Sequence, residues 1–477
     1  MSPTIEASSA SPLEILAGRG FSRVASAHFS RGNAARILLD GPENYTAWLN
    51  AIAAADRSVH LENYIVDDDR VGRSFAEAMI AAAGRGVRAR ILYDWFGCWS
   101  RTPSAYWRDL RQHGVEIRCY NPPRFGSPVG WISRDHRKLL TVDGEIAFAG
   151  GLCIGQAWEG DPARGVAPWR DTGIEIRGPA VAHLEAAFMD SWAAAGPALP
   201  AEDATATTIA PAGDLNLLVI PGSQDGMGLY RLEQLIADLA ERSLWLTDAY
   251  FVASTAYVRA LSDAARSGVD VRLLVPGSSD APVIQTLSRS GYRPLLEAGV
   301  RVFEWNGPML HAKTAVADGS LARIGSSNSN LASWIINREL DVTIADADFA
   351  GEMARIYERD LESATEIVLR LRRVRAAAPE GAGDRRPRRA RAAGASRLVA
   401  GAVGFGSAVN AAIGRRRPLG ASESRVLAAG GALALVIALA ALLLPAVIAY
   451  PFALAAIWGA ATLFGRAWRL RTRSGHG

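Results

Sequence analysis

Two stretches of this chain, about 180 residues apart, carry the same succession of helix, glycine and strand. AAGRGVRARILYD (82–94) is matched by AARSGVDVRLLVPG (264–277), with Gly86 answering Gly268. LRQHGVEIRCYN (110–121) is matched by LLEAGVRVFEWN (295–306), with Gly114 answering Gly299. Two matches in the same order at nearly the same offset point to a duplicated domain rather than a short solenoid period. Within a copy the pattern is βα. Ala35 to Leu39 and Ser58 to Ile65 are strand-like, Ser74 to Gly84 has helical spacing, and Val87 to Tyr93 is the next strand. The fold class this predicts is α/β, with two halves, 35–200 and 212–370, each a sheet flanked by helices.

The remaining segments follow from composition. Residues 1–34 form a leader without the basic start and apolar run of a signal peptide. Pro, Ala and Thr crowd the junction between the halves, which predicts a linker at 201–211. Residues 371–424 are rich in Arg, Ala and Gly, which suits a basic linker with a possible interfacial stretch. The segment 426–464 contains no charged residue. As one helix it would be about 58 Å long, nearly twice the roughly 30 Å hydrocarbon core. With Pro445 and Pro451 near its middle, 425–465 is predicted to be a two-helix transmembrane hairpin. Arginines before it and in the basic tail 466–477 place both ends in the cytoplasm. The three cysteines, Cys98, Cys119 and Cys153, have neither disulfide nor zinc spacing.

Lysine usage singles out the chemistry. Of 52 Lys plus Arg, lysine occurs only at Lys138 and Lys313, and each has a histidine two residues before it. The motifs read His136-Arg137-Lys138 and His311-Ala312-Lys313, followed at the same spacing by Asp143 and Asp318, then by Gly150-Gly151 and Gly325-Ser326. In extended backbone, residues i and i+2 share a face, so each His–Lys pair points one way. Two such pairs, one per half, can converge on a phosphodiester. One neutral imidazole attacks phosphorus, a protonated one delivers a proton to the leaving alcohol, and the ammonium groups stabilise the non-bridging oxygens. This chemistry requires no metal or other cofactor.

With these motifs in hand, the sequence resembles the phospholipase D superfamily with two HKD motifs, and within it the bacterial cardiolipin synthases. The resemblance covers about 35–370 and includes Tyr64 in LENYIVDDD, the DHRKLLTVDGEIAFAGG block, Trp169-Arg170-Asp171 and HAKTAVADGSLARIGSSNSNLASWIINRELD. It implies two phospholipase D-like α/β/α sandwich halves around one active site and a covalent phosphohistidine. By that likeness His136 is the nucleophile and His311 the general acid and base. Lys138 and Lys313 complete the quartet, and Asp143 and Asp318 close the motifs, more by stabilising a turn than by touching substrate. Asp171 and Glu339 are expected to orient one imidazole each. Gly150, Gly151, Ser326 and Asn328 are expected on the phosphate side. Cys153 stands where the second half has Asn328, so the first half lacks that asparagine.

The activity this implies is phosphatidyl transfer, with a phospholipid such as phosphatidylglycerol as substrate and cardiolipin as product. Hydrolysis to phosphatidic acid and cleavage of nucleic acid are the alternatives. Membrane association with the catalytic body on the cytoplasmic side follows from the tail, and the resemblance implies that this membrane is the bacterial inner membrane. No nucleic acid or protein partner is expected.

Overall fold

The computed structural model describes residues 27–123, 133–199, 209–222, 227–369 and Trp458. The expected hairpin 425–465, the segments 371–424 and 466–477 and most of the leader and inter-half linker lie outside these residues. Among the described residues, no helix is long and apolar enough to cross a membrane.

The first half contributes β1 (His28–Leu39), β2 (Ser58–Asn63), β3 (Arg88–Asp94), β4 (Glu116–Tyr120), β5 (Lys138–Val142), β6 (Ile146–Gly150) and β7 (Thr172–Arg177). The second contributes β8 (Leu215–Gly222), β9 (Ser243–Thr247), β10 (Asp270–Pro276), β11 (Arg301–Trp305), β12 (Thr314–Ala317), β13 (Leu321–Gly325), β14 (Glu339–Ala345) and β15 (Ala364–Ile367). The hydrogen-bonded order is β1-β7-β6-β5-β2-β3-β4 in one half and β8-β14-β13-β12-β9-β10-β11 in the other, with β15 added at the edge. Strand for strand the orders coincide, so the duplication extends to topology. In each half three neighbouring strands are parallel, β2-β3-β4 and β9-β10-β11, and the rest antiparallel. The halves join edge to edge where β1 pairs antiparallel with β8, Phe29 opposite Leu218. Both belong to one compact unit.

β1 begins at His28, ahead of the strand expected at Ala35, because its first residues pair with β8 and those from Ala34 onward with β7. The register shifts between Ser30 and Asn33, and that irregularity, with Gly32 at φ 76°, breaks the period-2 pattern on which strand recognition depends. The glycines that marked the repeat turn the chain with positive φ, Gly86 and Gly268 at 87° and 99°, Gly114 and Gly299 at 88° and 96°.

Apolar residues explain the layering. The helices Asp40–Ala53, Arg70–Gly84 and Ser104–Gln112 bury Trp48, Phe75 and Trp107 against the outer face of the first sheet. The helices Gly228–Leu239, Thr255–Arg266 and Pro282–Ala298 do the same for the second with Leu232, Tyr257 and Leu295. A third cluster draws on strands of both halves and on the helices Ala180–Ala194 and Ala347–Glu362, uniting Phe188 and Leu139 with Ile324, Leu340 and Met353. Alternation along β5 sends Leu139 to this shared cluster and Leu140 to the outer one. A strand covered on both faces can be apolar throughout, as β6 (IAFAG) is. The shared cluster fixes the two halves against each other, and the site described next depends on that.

Candidate active site

The two motifs sit at the entry of equivalent strands. β5 starts at Lys138 and β12 just after Lys313, so each histidine precedes its strand instead of lying in it. What holds the histidines is a backbone bridge to the opposite half. His136 N donates to the Arg338 carbonyl at 2.8 Å, and Arg338 N to the Arg134 carbonyl at 2.8 Å. Correspondingly, His311 N donates to the Arg170 carbonyl at 2.7 Å and Arg170 N to the Met309 carbonyl at 2.8 Å. Sequence spacing suggested strand residues because extended backbone outside a ladder has the same two-residue period.

The side chains are paired across the halves. His136 Nδ1 lies 2.9 Å from Oε2 of Glu339, and His311 Nδ1 lies 2.7 Å from Oδ2 of Asp171. Each carboxylate belongs to the half that does not carry its histidine. Fixing Nδ1 in this way leaves Nε2 as the reactive atom of each ring. Around the rings stand Tyr64, with its centroid 4.9 Å from His136, and Trp158, Trp169 and Tyr250, at 5.3, 6.0 and 6.0 Å from His311. Lys138 Nζ donates to the His136 carbonyl at 2.5 Å and lies 5.2 Å from the Tyr64 ring centre. Lys313 Nζ donates to the His311 carbonyl and lies 6.0 Å from the Tyr250 ring centre. All four motif side chains are buried, the histidines at 8% and 4% exposure.

Burial and clustered positive charge set the protonation states. Burial lowers His311 to about 4, assisted by the Lys313 and Lys138 ammonium groups and opposed by Asp171. His136 is also lowered, by burial first, then by Lys138 and Lys313, against the pull of Glu339. Each imidazole therefore feels both lysines, which ties the four groups electrostatically into one site. Burial lowers Lys313 to about 8, with Lys138 adding to the effect. For Asp171 and Glu339 burial acts upward, but the histidine beside each and the nearby lysines outweigh it and hold both below the usual carboxylate range. An empty site thus holds neutral imidazoles beside anionic carboxylates. A phosphodiester anion arriving between the lysines would offset the charge that depresses the histidines.

The other residues singled out from sequence are placed as follows. Asp143 accepts from the backbone N–H groups of Asp56, Arg57 and Ser58 at 2.9, 2.7 and 2.7 Å, and Asp318 from those of Glu241, Arg242 and Ser243 at 3.0, 2.7 and 2.9 Å. Both have positive φ, 54° and 52°, and lie at the strand ends remote from the histidines. They are turn anchors and do not reach the reacting groups. Gly150 and Gly151 make room for Thr172 and Asp171, since a Cβ on Gly151 would lie 2.1 Å from Oδ1 of Asp171. Ser326 spends its hydroxyl on Glu339, at 2.6 Å, while accepting from Leu340 N at 2.9 Å. Asn328 is 4% exposed and keeps its amide oxygen without a hydrogen-bond partner. Cys153, 1% exposed, packs in the outer cluster of the first half, and its carbonyl accepts from the Tyr45 hydroxyl at 2.5 Å. Spacing gave no indication of Tyr250, whose ring faces His311 as that of Tyr64 faces His136. The aligned fragments LENY and TDAY would have revealed it. Among the described residues, no group of His, Cys, Asp or Glu is arranged to hold a metal ion.

Comparison with known proteins places this geometry. Residues 48–157 and 234–361 match the family model described as cardiolipin synthase, PLD-like domain. The chain is 33% identical over 337 residues to a cardiolipin synthase of Alkalihalophilus pseudofirmus, covering 70% of this chain and 67% of that protein. It is 33% identical over 344 residues to cardiolipin synthase A of Pseudomonas fluorescens, covering 70% of each. In fold it is similar to a phosphatidylserine synthase from Haemophilus influenzae, with a TM-score of 0.57 and 13% identity, covering 74% of this chain and 92% of that one. With two mirrored His–Lys sites closed by crossed carboxylates and relatives of this kind over most of its length, the chain belongs to the phospholipase D-like cardiolipin synthase family and is a phosphatidyltransferase.

Proposed function

We propose that this enzyme makes cardiolipin from two phosphatidylglycerol molecules, with His136 as nucleophile and His311 as general acid and base. The observation that carries this reading is the crossed pairing of His136 with Glu339 and of His311 with Asp171. In the first step Nε2 of His136 attacks the phosphorus of one phosphatidylglycerol. The P–O bond to the headgroup glycerol breaks, and that oxygen takes a proton from His311. In the second step neutral His311 removes the proton from the headgroup hydroxyl of a second phosphatidylglycerol. Its oxygen attacks the phosphorus, and the bond to His136 breaks. Lys138 and Lys313 carry the charge of the non-bridging oxygens throughout, and Asn328 adds its amide.

Transfer in preference to hydrolysis is supported by the burial of both histidines and by the aromatic walls of Tyr64, Tyr250, Trp158 and Trp169, which limit access of water. A membrane-embedded donor and acceptor accord with the uncharged segment 426–464, which we place in the bacterial inner membrane with the catalytic body on the cytoplasmic side. The test is expression in a cardiolipin-deficient bacterium, followed by lipid extraction and chromatography. Cardiolipin from the wild type but not from His136→Ala is the expected result. Phosphatidic acid as the sole product would replace the transferase with a hydrolase.

A further inference from the structure

A buried carboxylate oxygen that accepts only from an imidazole competes for the imidazole proton, so the oxygen of each carboxylate that faces its histidine needs a further donor. In the second half Ser326 is that donor. Its hydroxyl reaches Oε2 of Glu339 at 2.6 Å, the same oxygen that His136 Nδ1 approaches at 2.9 Å. The equivalent position in the first half is Gly151, where even a Cβ would collide with Asp171 at 2.1 Å, so no serine fits there.

Thr172 N donates to Oδ1 of Asp171 at 2.9 Å, and the donor to Oδ2, the oxygen facing His311, is Trp158. Its Nε1–H reaches Oδ2 of Asp171 at 3.0 Å, again the oxygen shared with the histidine, 2.7 Å from His311 Nδ1. Trp158 is 1% exposed, and its ring stands edge-on to His311 at an interplanar angle of 88°. The short helix Gln156–Glu159 that carries it is anchored at both ends, by Gln156 N donating to Asp69 at 2.6 Å and Gln156 Nε2 donating to the Gly160 carbonyl at 2.5 Å.

We propose that Trp158 is the positioning residue of the Asp171–His311 couple, supplying with an indole N–H what Ser326 supplies with a hydroxyl to Glu339 and His136. This rests on the two-histidine mechanism above. By stabilising the Asp171 anion, the indole keeps the Nδ1 proton on the ring of His311 instead of on the carboxylate and holds the carboxylate oxygen where Nδ1 needs it. Removing the N–H makes Asp171 a stronger acceptor, stabilises the His311 imidazolium and moves its titration to higher pH.

The experiment compares Trp158→Phe, which keeps a buried aromatic ring, with Ser326→Ala in the full-length enzyme. The readout is release of the donor's headgroup alcohol across a pH series. That release occurs whether lipid or water is the acceptor, so an error in the proposed acceptor leaves the test intact. For Trp158→Phe the expected result is a kcat lower by about 10- to 100-fold, a KM within about twofold of wild type, and an upward shift of the pH limb that reports His311. Ser326→Ala should move the other limb. The position of a limb does not depend on the fraction of enzyme folded, so a loss of stability does not blur the outcome. A Trp158→Phe enzyme with wild-type kcat and profile, or one with reduced kcat and neither limb displaced, would overturn the proposal.

Discussion

The crossed carboxylates lead to a kinetic prediction that the linear order of the motifs would reverse. By chain order Asp171 follows His136 and Glu339 follows His311, yet in the folded protein Glu339 holds His136 and Asp171 holds His311. Under the proposed mechanism Glu339→Gln therefore impairs formation of the phosphohistidine, and Asp171→Asn impairs the proton transfers. The bond lost in Glu339→Gln is a buried, charge-assisted one of 2.9 Å. Such bonds contribute about 1.5–3 kcal/mol, or roughly 10- to 150-fold in rate. A glutamine amide can also present its NH2 group to Nδ1 and enforce the wrong tautomer, which extends the loss toward about 10⁴-fold. The assay uses a phosphatidyl donor with a nitrophenol leaving group, mixed rapidly with enzyme. Nitrophenolate departs without a proton from His311, so the burst isolates attack by His136. Asp171→Asn should keep the burst and lose steady-state turnover, whereas Glu339→Gln should slow the burst itself. An intact burst in Glu339→Gln with an abolished one in Asp171→Asn would refute the assignment of roles.

Two further outcomes concern stability. Lys313 ionises at about 8 in the folded protein because burial disfavours its ammonium form, against an ordinary value of 10.5. Its folded-state pKa is depressed, so folding is penalised where the unfolded chain holds a proton the folded one resists. That penalty is full below about pH 8 and disappears as pH rises to 10.5. Lys313→Met should abolish activity yet raise stability at pH 7 by up to about 3 kcal/mol and flatten that alkaline rise, read by urea unfolding. A variant that unfolds at lower urea than wild type would contradict this. Asp143→Ala and Asp318→Ala each strip an acceptor from three backbone N–H groups and should destabilise by about 2–4 kcal/mol. Because neither carboxylate reaches the histidines, the folded fraction should turn over at the wild-type rate. A kcat reduced a hundredfold in well-folded protein would show a direct role in the chemistry.

Much of the site was legible along the chain because its signals are local. The His-x-Lys spacing follows from the two-residue period of extended backbone, and Gly86, Gly114, Gly268 and Gly299 mark turns where positive φ favours glycine. Such features are fixed by a few neighbouring residues, so they survive as a repeated pattern, and the duplicated strand order follows from them. Local sequence was less informative where two roles share one residue type. Asp143 and Asp318 are expected from sequence to stabilise a turn more than to touch substrate, but only the positions of Ser58 and Ser243 show which backbone each one holds. Asp171 and Glu339 were expected to hold an imidazole each, but which histidine each one holds lay beyond sequence. His136 and Glu339 are 203 residues apart, and His311 and Asp171 are 140. Their pairing depends on how the shared cluster of Leu139, Phe188, Ile324 and Leu340 seats one sheet against the other. In sequence Trp158 fits a lipid-entrance lining and a core position equally well, and only packing aims its N–H at Asp171. The chain therefore marked the groups proposed to do the chemistry, whereas the tertiary structure decided which group serves which, because local backbone geometry governs the first and long-range burial the second.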